Sequence, residues 1–285
     1  MRWQGRRESG NVEDRRGSGG SGMLVGGGLG TVIIAVIIYL LGGDPSSYIG
    51  TDSDTGAPAQ VQTSNPQEDE AARFVKTVLA DTEDVWTKLF AQRGERYRPP
   101  VLVLFRGSTQ SGCGMASAAM GPFYCPGDKK LYIDLSFYDE LHTRFNAPGD
   151  FAMAYVVAHE VAHYIQDQWG ITDQVSQLRG RLSKVDNNRV SVRLELQADF
   201  LAGVWAHYIN QERNYLEAGD IEEALRAANA IGDDRIQKQT RGYVVPDAFT
   251  HGTSAQRVYW FTKGFKTGDI EQGDTFNSRE DANLQ

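Results

Sequence analysis

The spacing of hydrophobic residues changes several times along this chain, and each change marks an element. Residues 23–41, MLVGGGLGTVIIAVIIYLL, carry no charge and run for about the 20 residues that a helix rising 1.5 Å per residue needs to cross a bilayer core. That predicts one N-terminal transmembrane helix. A cleaved signal peptide and a non-spanning hairpin are the rival readings, but the run is longer than a signal h-region and no small-residue cleavage site follows Leu41. Residues 42–66 then exchange large apolar groups for Gly, Ser, Thr, Pro and Asp, the composition of a flexible linker.

Beyond the linker, Phe74, Val75, Val78, Leu79, Val85, Trp86 and Leu89 recur at helical spacing until Gly94 and the Pro99-Pro100 pair end the pattern. VLVLF at 101–105 is a short apolar run, and LYIDLSF at 131–137 alternates as a half-buried strand does, so the two are expected to pair. After Asn146-Ala147-Pro148-Gly149-Asp150 a long apolar helix is predicted to Trp169, stopped by Gly170. Further helical patterns occupy 171–184, 188–211, 219–231 and 254–265. The expectation is a mostly helical α+β domain with a small β-sheet over residues 67–285.

Charge refines this picture. The formal net charge of −8 over 285 residues argues against nucleic acid as a partner, because phosphate binding needs clustered Lys and Arg. Residues 1–22 are the exception, with Arg2, Arg6, Arg7, Arg15 and Arg16 against Glu8, Glu13 and Asp14. Basic residues ahead of an apolar span predict a cytoplasmic N-terminal tail, with everything after residue 42 on the outer side of the membrane. The two cysteines, Cys113 and Cys125, lie in GCGMASAAMGPFYC. Close in sequence and exported, they are expected to form a disulfide, with two free thiols as the alternative.

The candidate chemistry sits in AYVVAHEVAHYIQDQWG, residues 154–170, which holds two of the five histidines. Positions i and i+4 share a helix face, so His159 and His163 can present imidazoles to one ion. Glu160, directly after the first histidine, completes an H-E-x-x-H arrangement in which the histidines bind Zn2+ and the glutamate acts as general base on a zinc-activated water. Two unpaired histidines and a glutamate among Val157, Ala158, Val161, Ala162 and Ile165 would otherwise cost a few kcal/mol each to bury. A catalytic zinc usually takes a third protein ligand. VRLELQADFLAGVWA offers Glu195 as that ligand and Asp199, one turn on, as acceptor for the outward N–H of a ligand histidine. Arg193 stays protonated and cannot ligate. DAFTHGTSAQRVYWF adds His251, a candidate donor to an oxyanion, before a helix capped by Thr253 or Ser254. Arg257 could brace His251 or the carboxylates, and His251 could instead be an ordinary loop residue. His142 and His207 read as ordinary.

With HEVAH, ELQADF and THGTSAQR together, the chain resembles the gluzincin group of zinc metallopeptidases and, more closely, the bacterial putative neutral zinc metallopeptidase family. The resemblance runs from MRWQGRRESGNVEDRRG through GCGMASAAMGPFYCP and LYIDLSF to HGTSAQRVYWFTKGFKTGD. It implies a zincin-like fold, zinc on His159, His163 and Glu195, catalysis by Glu160, Asp199 behind a ligand, and a transition-state role for His251. Some membrane-associated gluzincins carry T-H-P, followed by an Arg, where this chain has Thr250-His251-Gly252, a departure at Gly252. The expected function is a membrane-anchored zinc peptidase cleaving extracytoplasmic proteins or peptides, held to the lipid bilayer by residues 23–41. The alternatives are a catalytically silent, metal-binding adaptor tethered to the membrane, and a hydrolase of non-peptide substrates. Glu160 speaks for an enzyme, since an adaptor has no need of a base. Substrate pairing is expected along residues 114–119 or LYIDLSF, and manganese or cobalt would suit the same ligands as zinc.

Overall fold

The computed structural model describes residues 1–17, 66–143 and 145–284. The predicted transmembrane helix and nearly all of the predicted linker lie outside these residues. Among the described residues, no helix is long and apolar enough to cross a membrane.

The small sheet is mixed. Its strands run in the order β1 (Val12–Asp14), β2 (Val101–Phe105), β6 (Lys130–Asp134) and β5 (Phe123–Cys125), with β2 parallel to both β1 and β6 and β5 antiparallel to β6. The expected pairing of VLVLF with LYIDLSF is therefore present, as a parallel pair. LYIDLSF differs from expectation in being covered on both faces: Leu131, Tyr132, Ile133 and Asp134 are all buried. Its last residues belong instead to a short helix, α2 (Ser136–Thr143). Between β2 and β5 the chain makes an antiparallel hairpin of β3 (Ser108–Ser111) and β4 (Gly114–Ser117). A Cys113–Cys125 disulfide ties the hairpin tip to β5.

Helices cover the sheet and fill the rest of the body. α1 (Pro66–Gln92) and α3 (Asp150–Gln168) follow the predicted bounds closely. α3 is the central element, buried on nearly every side from Phe151 to Gln166, and packs against α1, the sheet, α5 (Lys184–Arg213) and α6 (Asp220–Ala230). Each fully buried Val, Ile or Phe on it contributes roughly 1.5–3 kcal/mol by removal from water. α4 (Ile171–Arg179) connects α3 to α5. α7 (Asp233–Arg241) is nearly all polar, which explains why periodicity did not find it. α8 (Ser254–Thr267) closes the body.

The packing of α8 on α5 is unusually close. A Cβ on Gly203 would lie 2.1 Å from the Phe261 carbonyl oxygen, and one on Gly264 would lie 2.0 Å from that of Phe200. The two glycines let the backbones meet, which sets the depth at which side chains from α8 reach α5.

Residues 1–17, expected to stand apart from the domain as a tail, are folded into it. Trp3 is 5% exposed and its indole donates to Asp150. The pairing of β1 with β2 places Val12, Glu13 and Asp14 opposite Leu102, Val103 and Leu104.

Candidate metal and catalytic site

α3 supplies both histidines, and α5 crosses it to bring the third group. His159 Nε2 lies 3.2 Å and His163 Nε2 3.5 Å from the same oxygen, Glu195 Oε2. Among the described residues, these three form the cluster able to hold a metal, with one ligand atom from each lying within 4.8 Å of the others. The predicted His-His-Glu set is thus assembled in one place.

The far nitrogen of each imidazole is also engaged. His159 Nδ1 is 3.0 Å from Asp199 Oδ1, as the i+4 spacing from Glu195 suggested. His163 Nδ1 is 2.9 Å from Gln166 Oε1. Gln166 is completely buried and its amide donates to the Leu194 carbonyl and to Gln197 Oε1. A buried glutamine three residues after the second histidine was a signal in the sequence that went unread. Fixing the outer nitrogen leaves each inner Nε2 as the free metal-facing atom.

Asp199 is the hub of a buried network. Arg257 donates to both of its oxygens, Nε to Oδ2 at 2.8 Å and Nη2 to Oδ1 at 3.0 Å. The Tyr155 hydroxyl donates to Oδ1 at 2.5 Å and accepts from Arg257 Nη2 at 3.2 Å. Of the two roles considered for Arg257, it is the carboxylate that it braces. Tyr155, one turn before His159 on α3, was not singled out in the sequence. Arg193 is bound by Asp281 at 2.7 and 2.9 Å, well away from ligation.

The electrostatics fit a cation. Burial would raise the Asp199 carboxyl, yet the Arg257 charge and then His159 bring its pKa down to about 2. Burial would likewise raise Glu195, but the charge of His163 and hydrogen bonds from both histidines hold it well below its ordinary range. Burial disfavours charge on His159, but Asp199 outweighs it and pushes the pKa up to about 9. Fixed negative charge thus surrounds imidazoles whose inner nitrogens converge, a donor set of two nitrogens and one carboxylate that suits Zn2+. Glu160, beside these ligands and 8% exposed, has its carboxyl raised first by burial, while the histidine charges and the Tyr124 backbone N–H oppose the rise.

His251 approaches from the loop before α8, near enough to Glu195 for the two charges to shift each other. Asp233, the first residue of α7, organises this loop. Its Oδ2 accepts from the backbone N–H groups of Thr250 (2.6 Å), His251 (2.6 Å) and Gly252 (3.1 Å), and its Oδ1 lies 3.3 Å from His251 Nδ1. Burial opposes charge on His251, but the bond to Asp233 and then the negative charge of Glu195 raise its pKa. Gly252 has φ +90°, a value proline cannot adopt, so the departure from T-H-P reflects a different backbone path. Thr253 is the N-cap of α8, forming a capping box with Gln256.

His142 lies on α2, away from the cluster, and His207 Nδ1 meets the Phe265 carbonyl at 2.8 Å, joining α5 to α8. Of the strands expected to meet substrate, β6 is interior to the sheet, with neighbours on both sides; the sheet edge beside α3 is β5.

Comparisons with known proteins agree with this geometry. The uncharacterized protein YpfJ of Escherichia coli K12 is 50% identical over 289 residues, covering 97% of this chain and 99% of that protein. The uncharacterized protein Rv2575 of Mycobacterium tuberculosis H37Rv is 43% identical over 225 residues, covering 74% of each. No solved structure matches. Residues 1–276 match the family described as putative neutral zinc metallopeptidase, and the chain belongs to that family.

Proposed function

We propose that this protein is a zinc-dependent peptidase that hydrolyses peptide bonds in extracytoplasmic proteins or peptides, associated with the bilayer through residues 23–41. The observation that carries the reading is the convergence of His159 and His163 Nε2 on one oxygen of Glu195, with Glu160 on the same helix. His159, His163 and Glu195 would hold a zinc ion, which would supply Lewis acidity to a water and to a peptide carbonyl.

The remaining work falls to the chain's own groups. Glu160 accepts a proton from the attacking water and passes it to the departing amine; its burial keeps its affinity for that proton high. Asp199 and Gln166 hold the two imidazoles in the tautomer that leaves Nε2 free. His251, oriented by Asp233, which raises its pKa against the effect of burial, donates to the carbonyl oxygen as it gains negative charge. β5 is the sheet edge that meets the site, its Tyr124 backbone N–H engaging Glu160, and substrate backbone can run along it. A cavity of about 200 Å³ between α5 and the 246–256 segment includes Asn188 and Val192 in its wall.

The disulfide between Cys113 and Cys125 favours an oxidising, extracytoplasmic setting. The test is hydrolysis of an unstructured protein, abolished by a chelator and restored by one equivalent of Zn2+. Activity unchanged by the chelator would overturn the reading; zinc uptake without cleavage of any peptide would favour the silent adaptor.

A further inference from the structure

The arginines at the start of the chain are not free to act as a topological signal. Arg2 donates to the Asn214 carbonyl at 2.5 Å, and Arg6 pairs with Asp81. Arg7 binds Glu83 at 2.8 Å and Asp84 at 2.7 Å, both on α1, while Arg15 reaches the Gln110 carbonyl at 3.0 Å. Arg16 lies 3.1 Å from both the Glu68 carbonyl and Asp69. The polar bonds of Ser9 and Asn11 to Glu83, at 2.5 and 2.7 Å, continue the same seam. Trp3 fills the core against Phe74, with ring centroids 5.4 Å apart, and β1 is hydrogen-bonded along β2.

Arg16 and Glu68 are in contact, so the described residues on either side of 18–65 end on the same patch of surface. Between them the sequence holds one apolar run of bilayer length, 23–41, followed only by the polar stretch 42–65. A single crossing would set residues 1–17 and 66–284 on opposite faces of the membrane. That would forbid the β1–β2 ladder, the burial of Trp3 and the seam of ion pairs all at once, since partners on opposite faces of a bilayer cannot touch and an open-edged sheet does not span it.

We propose that residues 1–17 and the catalytic body lie on the same face of the membrane, and that the apolar run meets the lipid from that one face, as an anchor rather than a single span. This replaces the cytoplasmic N-terminus that a count of basic residues suggested. That count assumes positive charges left in solvent, whereas here Arg6, Arg7 and Arg16 are paired with acids of α1. Combined with the proposed function, the shared face is the extracytoplasmic one.

The test labels introduced thiols in intact cells, where the paired native cysteines are silent to maleimide. Gly10→Cys reports on the N-terminal segment and Arg181→Cys on the catalytic body; both positions are exposed. A membrane-impermeant maleimide is expected to label both to the same extent before permeabilisation. In addition, Glu8→Cys with Arg73→Cys, at an exposed pair 3.1 Å apart, is expected to be joined by a short bismaleimide. Labelling of one position with at least about tenfold less at the other would overturn the proposal. Both positions protected until permeabilisation would uphold the shared face and overturn instead the extracytoplasmic setting of the proposed function. The cross-link forms only if the segment and α1 are in register, so its absence when both thiols are accessible would also count against the proposal.

Discussion

Two histidines near the same glutamate are held in opposite ways. His159 is buried on the central helix and backed by Asp199, itself gripped by Arg257 and Tyr155, so displacing it strands charges in the core. His251 is half-exposed, on a loop, and answers to one carboxylate, Asp233. A ligand must hold one geometry through every turnover, whereas a group that stabilises a developing charge must admit substrate before it engages. The rigid arm and the adjustable arm should therefore fail differently when broken.

The largest effect is expected from Glu195→Ala, which removes the carboxylate on which both imidazoles converge. Zinc content should fall far below one equivalent, with turnover lost; undiminished zinc binding would place the third ligand elsewhere. His251→Ala should leave zinc content at one equivalent and lower kcat by about 10²–10³-fold, the usual cost of one oxyanion donor. Loss of metal in that variant would merge the two arms and break the comparison. Asp199→Asn should weaken zinc by about 10–100-fold, measured by competition with a chelating dye. It also removes the countercharge of buried Arg257, so denaturant melts should show a loss on the order of 3–5 kcal/mol.

The smallest effect sharpens the comparison through pH. Below its raised pKa His251 is cationic and able to donate; as pH rises through that pKa the donor charge is lost, giving the alkaline limb of kcat. Asp233→Asn removes a main cause of the elevation, so that limb should move down toward the ordinary imidazole value near about 6.5. An unmoved limb would mean that some other group titrates.

The two arms also differed in how well the sequence exposed them. The rigid one could be read largely from helical arithmetic: i,i+4 spacing put His159 and His163 on one face and Glu195 and Asp199 on another, and the apolar surroundings favoured ligation over a surface salt-bridge pair. Gln166 follows the same logic and was overlooked because an amide is not a ligand. The His251 loop could not be read this way. Asp233 is 18 residues from His251, on a helix so polar that periodicity is silent, and their meeting depends on how α7 docks against the start of α8. Gly203 and Gly264 show the same limit, for each is ordinary in sequence and decisive only where two backbones touch. The N-terminal segment was misjudged for a related reason. Five arginines look like a solvated tail until folding brings acids of α1 alongside Arg6, Arg7 and Arg16 and backbone carbonyls alongside Arg2 and Arg15.

The central claim is a zinc site that works with Glu160 as base. Its most direct test is metal content and hydrolysis of an unstructured protein, measured side by side for the parent and Glu160→Gln. One zinc in each with cleavage by the parent alone is the predicted result. Equal cleavage by both, or no zinc in the parent, would contradict it.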